Sequence, residues 1–91
     1  MNTRNELRAQ VEQLLANKGD REPLGDTDSL VLSGRLDSID ILHIVVFLEG
    51  SYGIDFADHG FDQEDFDSIA RILTLIELRA PAAGALRASE R

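Results

Sequence analysis

The sequence predicts an all-α fold: a four-helix bundle of three main helices and one short helix, with a long loop between the first two. Apolar residues recur with a helical period in three segments, and the one segment that alternates like a strand has no second strand to pair with. The 91 residues suffice for one small core. With 4 Phe, 1 Tyr and no Trp, that core should be aliphatic. We expect one domain over residues 1–80 and a flexible tail over residues 81–91.

The first helix is predicted from residue 3 to residue 17. Its apolar side chains have the spacing of one amphipathic face: Leu7, Val11, Leu14 and Leu15. Lys18 and Gly19 follow this stripe. A glycine ends helices easily because it adopts the left-handed conformation, and a lysine there complements the helix dipole.

A loop of about twenty residues is predicted over 18–37, because Pro23, Gly25 and Gly34 interrupt any helical period. Loops of this length in a small domain are usually functional or disordered. We expect this one to be anchored on the core by its own apolar side chains, which are Leu24, Leu30, Val31, Leu32 and Leu36.

The second helix is predicted to begin at Asp37 and Ser38 and to end near Gly50 or Gly53. Residues 39–48 are so apolar and β-branched that a buried strand is conceivable, but their length and the Asp-Ser start favour a helix. Apolar residues occupy nearly every face of this helix. The excess is either all core, or it forms an acyl-chain cavity or a partner contact.

The remaining chain should hold a loop, a short helix and a final helix. Residues 52–56 are predicted as a loop whose Ile54 and Phe56 point inward, and residues 62–66 as one helical turn. Asp67 is predicted to cap a final helix from Ser68 to about residue 80, which Pro81 terminates.

The charge distribution predicts basic protein partners. The formal net charge is -8, which disfavours nucleic acids and anionic membranes. Residues 36–67 hold nine acidic side chains and no Lys or Arg. This cluster is either a solubilising surface or a docking face. The chain has no Cys, and its longest apolar run is too short to span a bilayer. We expect a cytoplasmic protein without membrane insertion.

An Asp-Ser pair followed by Leu or Ile occurs three times, and one copy is a candidate site. Ser29 lies within the loop, and Ser68 opens a helix that the core needs. Ser38 lies where the loop meets the second helix, so its hydroxyl should be exposed at a helix N-terminus. That position suits a covalently attached phosphate, because free N–H groups and the helix dipole stabilise the anion. The three triplets are Asp28-Ser29-Leu30, Asp37-Ser38-Ile39 and Asp67-Ser68-Ile69.

The sequence around Ser38 resembles the discrete acyl carrier proteins over residues 3–79. The matching segments are Gly34-Arg35-Leu36-Asp37-Ser38-Ile39, the apolar helix to Leu48 with Glu49, Tyr52-Gly53-Ile54 and Phe66-Asp67-Ser68-Ile69. The resemblance implies a four-helix bundle of the acyl-carrier type. It also implies that a carrier protein synthase transfers 4'-phosphopantetheine from coenzyme A to Ser38. Asp37 and Asp40 are the synthase contacts that it implies, and we expect Ile39, His43 and Glu49 to be further partner-binding residues.

The resemblance implies a monomeric carrier without catalytic activity, which holds acyl groups as thioesters in fatty-acid, lipid or secondary-metabolite biosynthesis. A chain without Cys needs the thiol of the phosphopantetheine arm for this. Its further partners would be acyl-loading, acyl-transferring or condensing enzymes with basic docking patches. His43, Gly50 and Ser51 replace the acidic residues that fatty-acid carriers usually have there, which favours a specialised carrier over a housekeeping one.

Two alternatives stay open, and two kinds of site are excluded. The chain could be an aminoacyl or peptidyl carrier, or an unmodified acidic interaction module. A catalytic pair of Ser38 and His43 is excluded, because residues five positions apart point about 140° apart around a helix. A calcium loop starting at Asp26 is excluded because Leu30 and Val31 occupy positions that need an oxygen ligand and Gly. We expect no metal site, and a solvated loop around His59.

Overall fold

The computed structural model describes residues 3–80, apart from the side chains of residues 58 and 59. Within this range it contains helices and no strand, which confirms the predicted all-helical class. The predicted tail over 81–91 lies outside the described residues. None of the helices in the described range is long and apolar enough to cross a bilayer. The elements are α1 (Thr3–Asn17), α2 (Ser38–Tyr52), α3 (Phe56–His59), a 3₁₀ helix (Gln63–Phe66) and α4 (Ile69–Arg79).

The core forms where α1 packs against both α2 and α4. Each long helix contributes one buried aliphatic stripe, and each fully buried side chain of this kind contributes about 1.5–3 kcal/mol. The expectation of a purely aliphatic core was wrong at one end. There Phe56 and Phe66 are buried, and Phe61 packs edge-on against both rings. The stripes are Leu7, Val11, Leu14 and Leu15; Ile41, Ile44, Val45 and Leu48; and Ile69, Ile72, Leu75 and Ile76.

The loop between α1 and α2 is anchored on the core, as predicted, but not by all five expected side chains. Leu24, Leu30 and Leu36 are buried. Val31 is only partly buried, and Leu32 is 83% exposed. The chain turns outward between Leu30 and Leu36, and it closes again through a hydrogen bond from Leu36 N to Leu30 O at 2.8 Å.

The short segment after α2 contains a helix that the sequence did not predict. α2 ends at Tyr52, and Gly53 caps it with a φ of 70°, a conformation that favours glycine. Ile54 and Phe56 are buried as expected. Residues 56–59, however, form the single turn α3 rather than a loop. Asp55 Oδ1 accepts a hydrogen bond from Ala57 N at 3.0 Å and so supports the start of that turn.

The start of α4 differs from the prediction by one residue, and this changes the role of Asp67. Ser68 is the N-cap, because its Oγ accepts a hydrogen bond from Arg71 N at 3.1 Å. Asp67 therefore does not cap the helix. Its Oδ1 instead accepts hydrogen bonds from the loop between α1 and α2, from Val31 N at 2.8 Å and Leu32 N at 2.9 Å.

Candidate functional site

The structure separates the three candidate serines. Ser29 Oγ donates to Asp67 Oδ1 at 2.9 Å and accepts from Ser33 N at 3.2 Å. Ser68 is buried and caps α4. Ser38 is the first residue of α2 and is exposed. The hydroxyls of Ser29 and Ser68 thus hold the fold together, whereas that of Ser38 faces the solvent.

A capping box fixes the backbone that carries Ser38. Asp37 is the N-cap, in extended conformation, and its Oδ1 accepts a hydrogen bond from Asp40 N at 3.0 Å. Asp40 Oδ2 accepts one in return from Asp37 N at 3.0 Å. The bond from Asp40 N holds the pKa of Asp37 below its usual value. Ser38 lies between these two residues, so the capping box sets its place in the first turn of α2.

Asp40, one of the expected partner-binding residues, is buried. It is only 7% exposed, and Lys18 Nζ donates to its Oδ2 at 2.7 Å. This hydrogen bond is the main reason why the pKa of Lys18 lies above its usual value. Because the carboxylate is shielded by the capping box and neutralised by Lys18, it offers little charge to a partner.

The residues just before Ser38 contact the beginning of the same loop. Gly34 has a φ of 84°, which redirects the chain so that Arg35 points back along it. The Arg35 guanidinium donates to both carboxylate oxygens of Asp20, at 2.9 and 3.1 Å, and to Glu22 O at 3.0 Å. This pairing raises the pKa of Arg35 and lowers that of Asp20.

An exposed apolar stripe runs along α2 from Ser38. Ile39, Leu42 and Val46 are 65%, 54% and 66% exposed, and they line an open groove of about 510 Å³ together with His43 and Phe47. The excess apolar surface of this helix is therefore not all core. These three side chains face outward, opposite the stripe that packs on α1. Such a surface favours contact with another molecule.

The other expected partner-binding residues are accessible. Asp37, Ile39, His43 and Glu49 are all exposed, and only Asp40 is not. Their spacing follows α2, so they lie along the helix that starts at Ser38. The structure thus leaves one carboxylate, that of Asp37, directly beside the serine.

The structure adds neighbours of Ser38 that the sequence did not indicate. Gln63 Nε2 donates to Ser38 Oγ at 3.4 Å, a weak hydrogen bond from the 3₁₀ helix. Gln63 also lines a groove of about 500 Å³ with exposed Leu32, Asp62 and Glu64. Acidic residues at 62–65 are visible in the sequence. The sequence does not show that this segment lies beside Ser38, because that placement depends on long-range packing of the 3₁₀ helix.

The site presents a serine hydroxyl at the start of a long helix. Across the described side chains, no group of three or more His, Asp or Glu could hold a metal ion. No protein-family model, curated protein or solved structure matches this chain.

Proposed function

We propose that this chain is an acyl carrier protein and that Ser38 carries its 4'-phosphopantetheine arm. The observation that supports this most is the contrast among the three Asp-Ser triplets. Ser38 is exposed at the start of a long helix, whereas Ser29 and Ser68 are engaged in the fold. On this proposal the helical fold is a four-helix bundle of the acyl-carrier type, with the long loop leading to the modified residue.

The residues around Ser38 fit a phosphodiester. The serine lies at the positive end of the α2 dipole, where an anion is stabilised. Gln63 supplies a side-chain amide donor within reach of its Oγ. Lys18 Nζ lies 4.0 Å from Asp37 Oδ2 and offsets the one adjacent carboxylate. When bound, the arm supplies the thiol that a chain without Cys lacks.

In the loading reaction, the role of this chain is to present a nucleophile. Ser38 Oγ forms a bond to the phosphorus of coenzyme A that carries the pantetheine. The pyrophosphate P–O bond breaks and releases 3',5'-ADP. The hydroxyl proton passes to a base of the carrier protein synthase, since His43 points to another side of α2. On this proposal the chain has no catalytic activity of its own.

The surface beside Ser38 supports docking by partners that are both apolar and basic. The exposed stripe of Ile39, Leu42 and Val46 offers apolar contact. Glu49 and Glu64 are exposed and add negative charge at its margins. We infer partners that load, transfer or condense acyl groups in fatty-acid, lipid or secondary metabolism. The apolar character of this face favours a specialised carrier. We expect it to act as a monomer in the cytoplasm.

An aminoacyl or peptidyl carrier is the second candidate, and one observation favours it. Asp40 is neutralised by Lys18, so the helix face next to Ser38 is more apolar than its sequence suggests. A weakly charged docking face is what we expect of such carriers. An unmodified acidic interaction module would use the same surface without any modification of Ser38.

The test is an intact-mass measurement after incubation with coenzyme A and a broad-specificity phosphopantetheinyl transferase. The proposal expects a gain of one phosphopantetheine, which Ser38→Ala abolishes. Ser51→Ala is the matched control, because Ser51 is also an exposed serine on α2, and it should load normally. No gain in the wild-type chain would reject the carrier in favour of the interaction module. The two kinds of carrier are separated by the group that the thiol of the loaded arm accepts: an acetyl group from acetyl-coenzyme A or an aminoacyl group, each supplied with its cognate enzyme.

A further inference from the structure

The side chain of Lys18 joins the end of α1 to the turn that carries Ser38. Lys18 directly follows α1, and its Nζ donates to Arg35 O at 2.8 Å and to Asp40 Oδ2 at 2.7 Å. The same nitrogen lies 4.0 Å from Asp37 Oδ2. One cation thus contacts groups on both sides of Ser38 along the chain.

The Asp40 oxygen that Lys18 contacts is also part of the capping box. Asp40 Oδ2 accepts from Asp37 N at 3.0 Å as well as from Lys18. Asp40 is almost fully buried, and a buried carboxylate is stable only when it is paired and hydrogen-bonded. Lys18 therefore stabilises the capping box in the geometry that holds Ser38.

The segment before Ser38 is held from the same side. Arg35, whose carbonyl accepts from Lys18, sends its guanidinium to Asp20, two residues beyond Lys18. Residues 18–20 and 35–40 are thus linked by two cations in opposite directions. Beyond the weak bond from Gln63, the position of the Ser38 hydroxyl depends on this backbone.

We propose that Lys18 is a positioning residue for the modification of Ser38: its bonds to Arg35 and Asp40 hold the first turn of α2 so that the serine hydroxyl meets the transferring enzyme in a reactive orientation. This inference rests on the proposed carrier function. Lys18 does not touch the transferred group. Its effect should therefore appear in the rate of the chemical step more than in binding of the carrier, because misplacement of a nucleophile by a fraction of an ångström slows its reaction.

The test compares loading kinetics of Lys18→Met with those of a matched variant, Arg8→Met. Arg8 is also a cation on the α1 side that donates to a carboxylate, Asp26 at 2.8 Å, and a loop carbonyl, Leu24 O at 2.6 Å. It ties a part of the loop that does not include Ser38. We expect Lys18→Met to lower kcat on the order of 10- to 100-fold, and Arg8→Met to change it less than about twofold. Lys18→Arg should restore most of the rate.

A second variant controls for the possibility that Lys18→Met does not fold. Lys18→Met with Asp40→Asn removes the unpaired buried charge, while the Asn oxygen still accepts from Asp37 N. It should fold, and its kcat should stay low. Hydrogen exchange at the amides of Ile39 and Asp40 should be faster in Lys18→Met and in the double variant than in Arg8→Met.

The outcomes separate this inference from the proposed function. Unchanged kcat in folded Lys18→Met, an equal loss in Arg8→Met, or a change in KM alone would overturn the positioning role while the carrier stands. A wild-type chain that is never loaded would overturn both. In that event the exchange rates would still show whether Lys18 fixes the turn.

Discussion

Ser29 Oγ donates a hydrogen bond of 2.9 Å to Asp67 Oδ1, across 38 positions of the sequence. The same carboxylate oxygen accepts from the amides of Val31 and Leu32. One side chain at the start of α4 thus holds the middle of the long loop. Because this loop leads to Ser38, the carboxylate of Asp67 contributes indirectly to the candidate site.

Removal of this carboxylate should destabilise the protein. Three hydrogen bonds to one charged acceptor are lost in Asp67→Ala, and each is worth about 1.5 kcal/mol before partial exposure reduces it. We expect the free energy of unfolding in urea to fall by about 2–3 kcal/mol. Asp62 is an exposed acidic residue on the same segment. Asp62→Ala should change the free energy of unfolding by less than about 0.5 kcal/mol. Equal effects of both variants would contradict this role.

The contribution of Asp67 should depend on pH in a defined direction. The hydrogen bond from Leu32 N, followed by that from Ser29, lowers the pKa of Asp67 below its ordinary 3.8. A lowered folded-state pKa contributes stability that is complete above pH 3.8 and is lost as pH falls through the folded-state pKa. The stability difference between wild type and Asp67→Asn should therefore be constant from pH 7 to about pH 5 and shrink below about pH 4. A difference that grows in acid would contradict this assignment.

Tyr52 provides a spectroscopic test of the contact between α1 and α2. Its hydroxyl donates to Glu6 Oε1 at 2.7 Å. Burial and this bond raise its pKa to about 12. Tyr52 is the only tyrosine in the sequence, so an ultraviolet titration of tyrosine reports on it alone. The midpoint should lie near 12 in the folded protein and near 10 in urea.

A variant separates the two causes of that shift. Glu6→Gln should lower the pKa of Tyr52 but leave it above 10, because burial is the larger cause. The stability that depends on this proton is complete below pH 10 and is lost as pH rises toward 12. A midpoint near 10 before any unfolding would show that the two helices do not meet in this way.

The two sides of α2 should respond differently to the same truncation. Leu48 is fully buried and Leu42 is 54% exposed on the same helix. Leu48→Ala should lower the free energy of unfolding by about 2–5 kcal/mol, because it leaves a cavity. Leu42→Ala should change it by less than about 0.5 kcal/mol. Similar losses for the two variants in urea unfolding would place Leu42 in the core.

The negative charge of Glu64, on the 3₁₀ helix beside Ser38, should affect docking of the transferring enzyme. Glu64→Lys reverses a charge on the 3₁₀ helix that contacts Ser38. We expect it to lower kcat/KM for loading about tenfold at low ionic strength, and much less near ~1 M salt. Glu77→Lys makes the same change in net charge on α4 and should have little effect. A uniform effect of both variants would indicate net charge rather than a docking face.

The long helices were predictable because their signals are local. The periodicity of Leu7 to Leu15 and the Asp37-Ser38 start located α1 and α2 to within about two residues. The end of α2 was predicted near Gly50 or Gly53, and the structure selects Gly53. The single turn at Phe56 was missed because four residues are too few for a helical period.

The candidate site was predictable in part. The exposure of Ser38 followed from its place between a loop and a helix. The burial of Asp40 was not anticipated, although its spacing from Asp37 is that of a capping box, a local signal that indicates a structural role. The contacts of Lys18 with Asp40 and of Gln63 with Ser38 span 22 and 25 positions, so they arise only from packing.

A fragmentation mass spectrum of the loaded protein assigns the modification to one residue. We expect phosphopantetheine on Ser38 and on none of the serines at 29, 33, 51 and 68. A modified Ser29 or Ser68 would require the surrounding fold to open, and it would contradict the assignment of the arm to Ser38. So would a folded, exposed Ser38 that stays unmodified when a known carrier in the same tube is fully loaded.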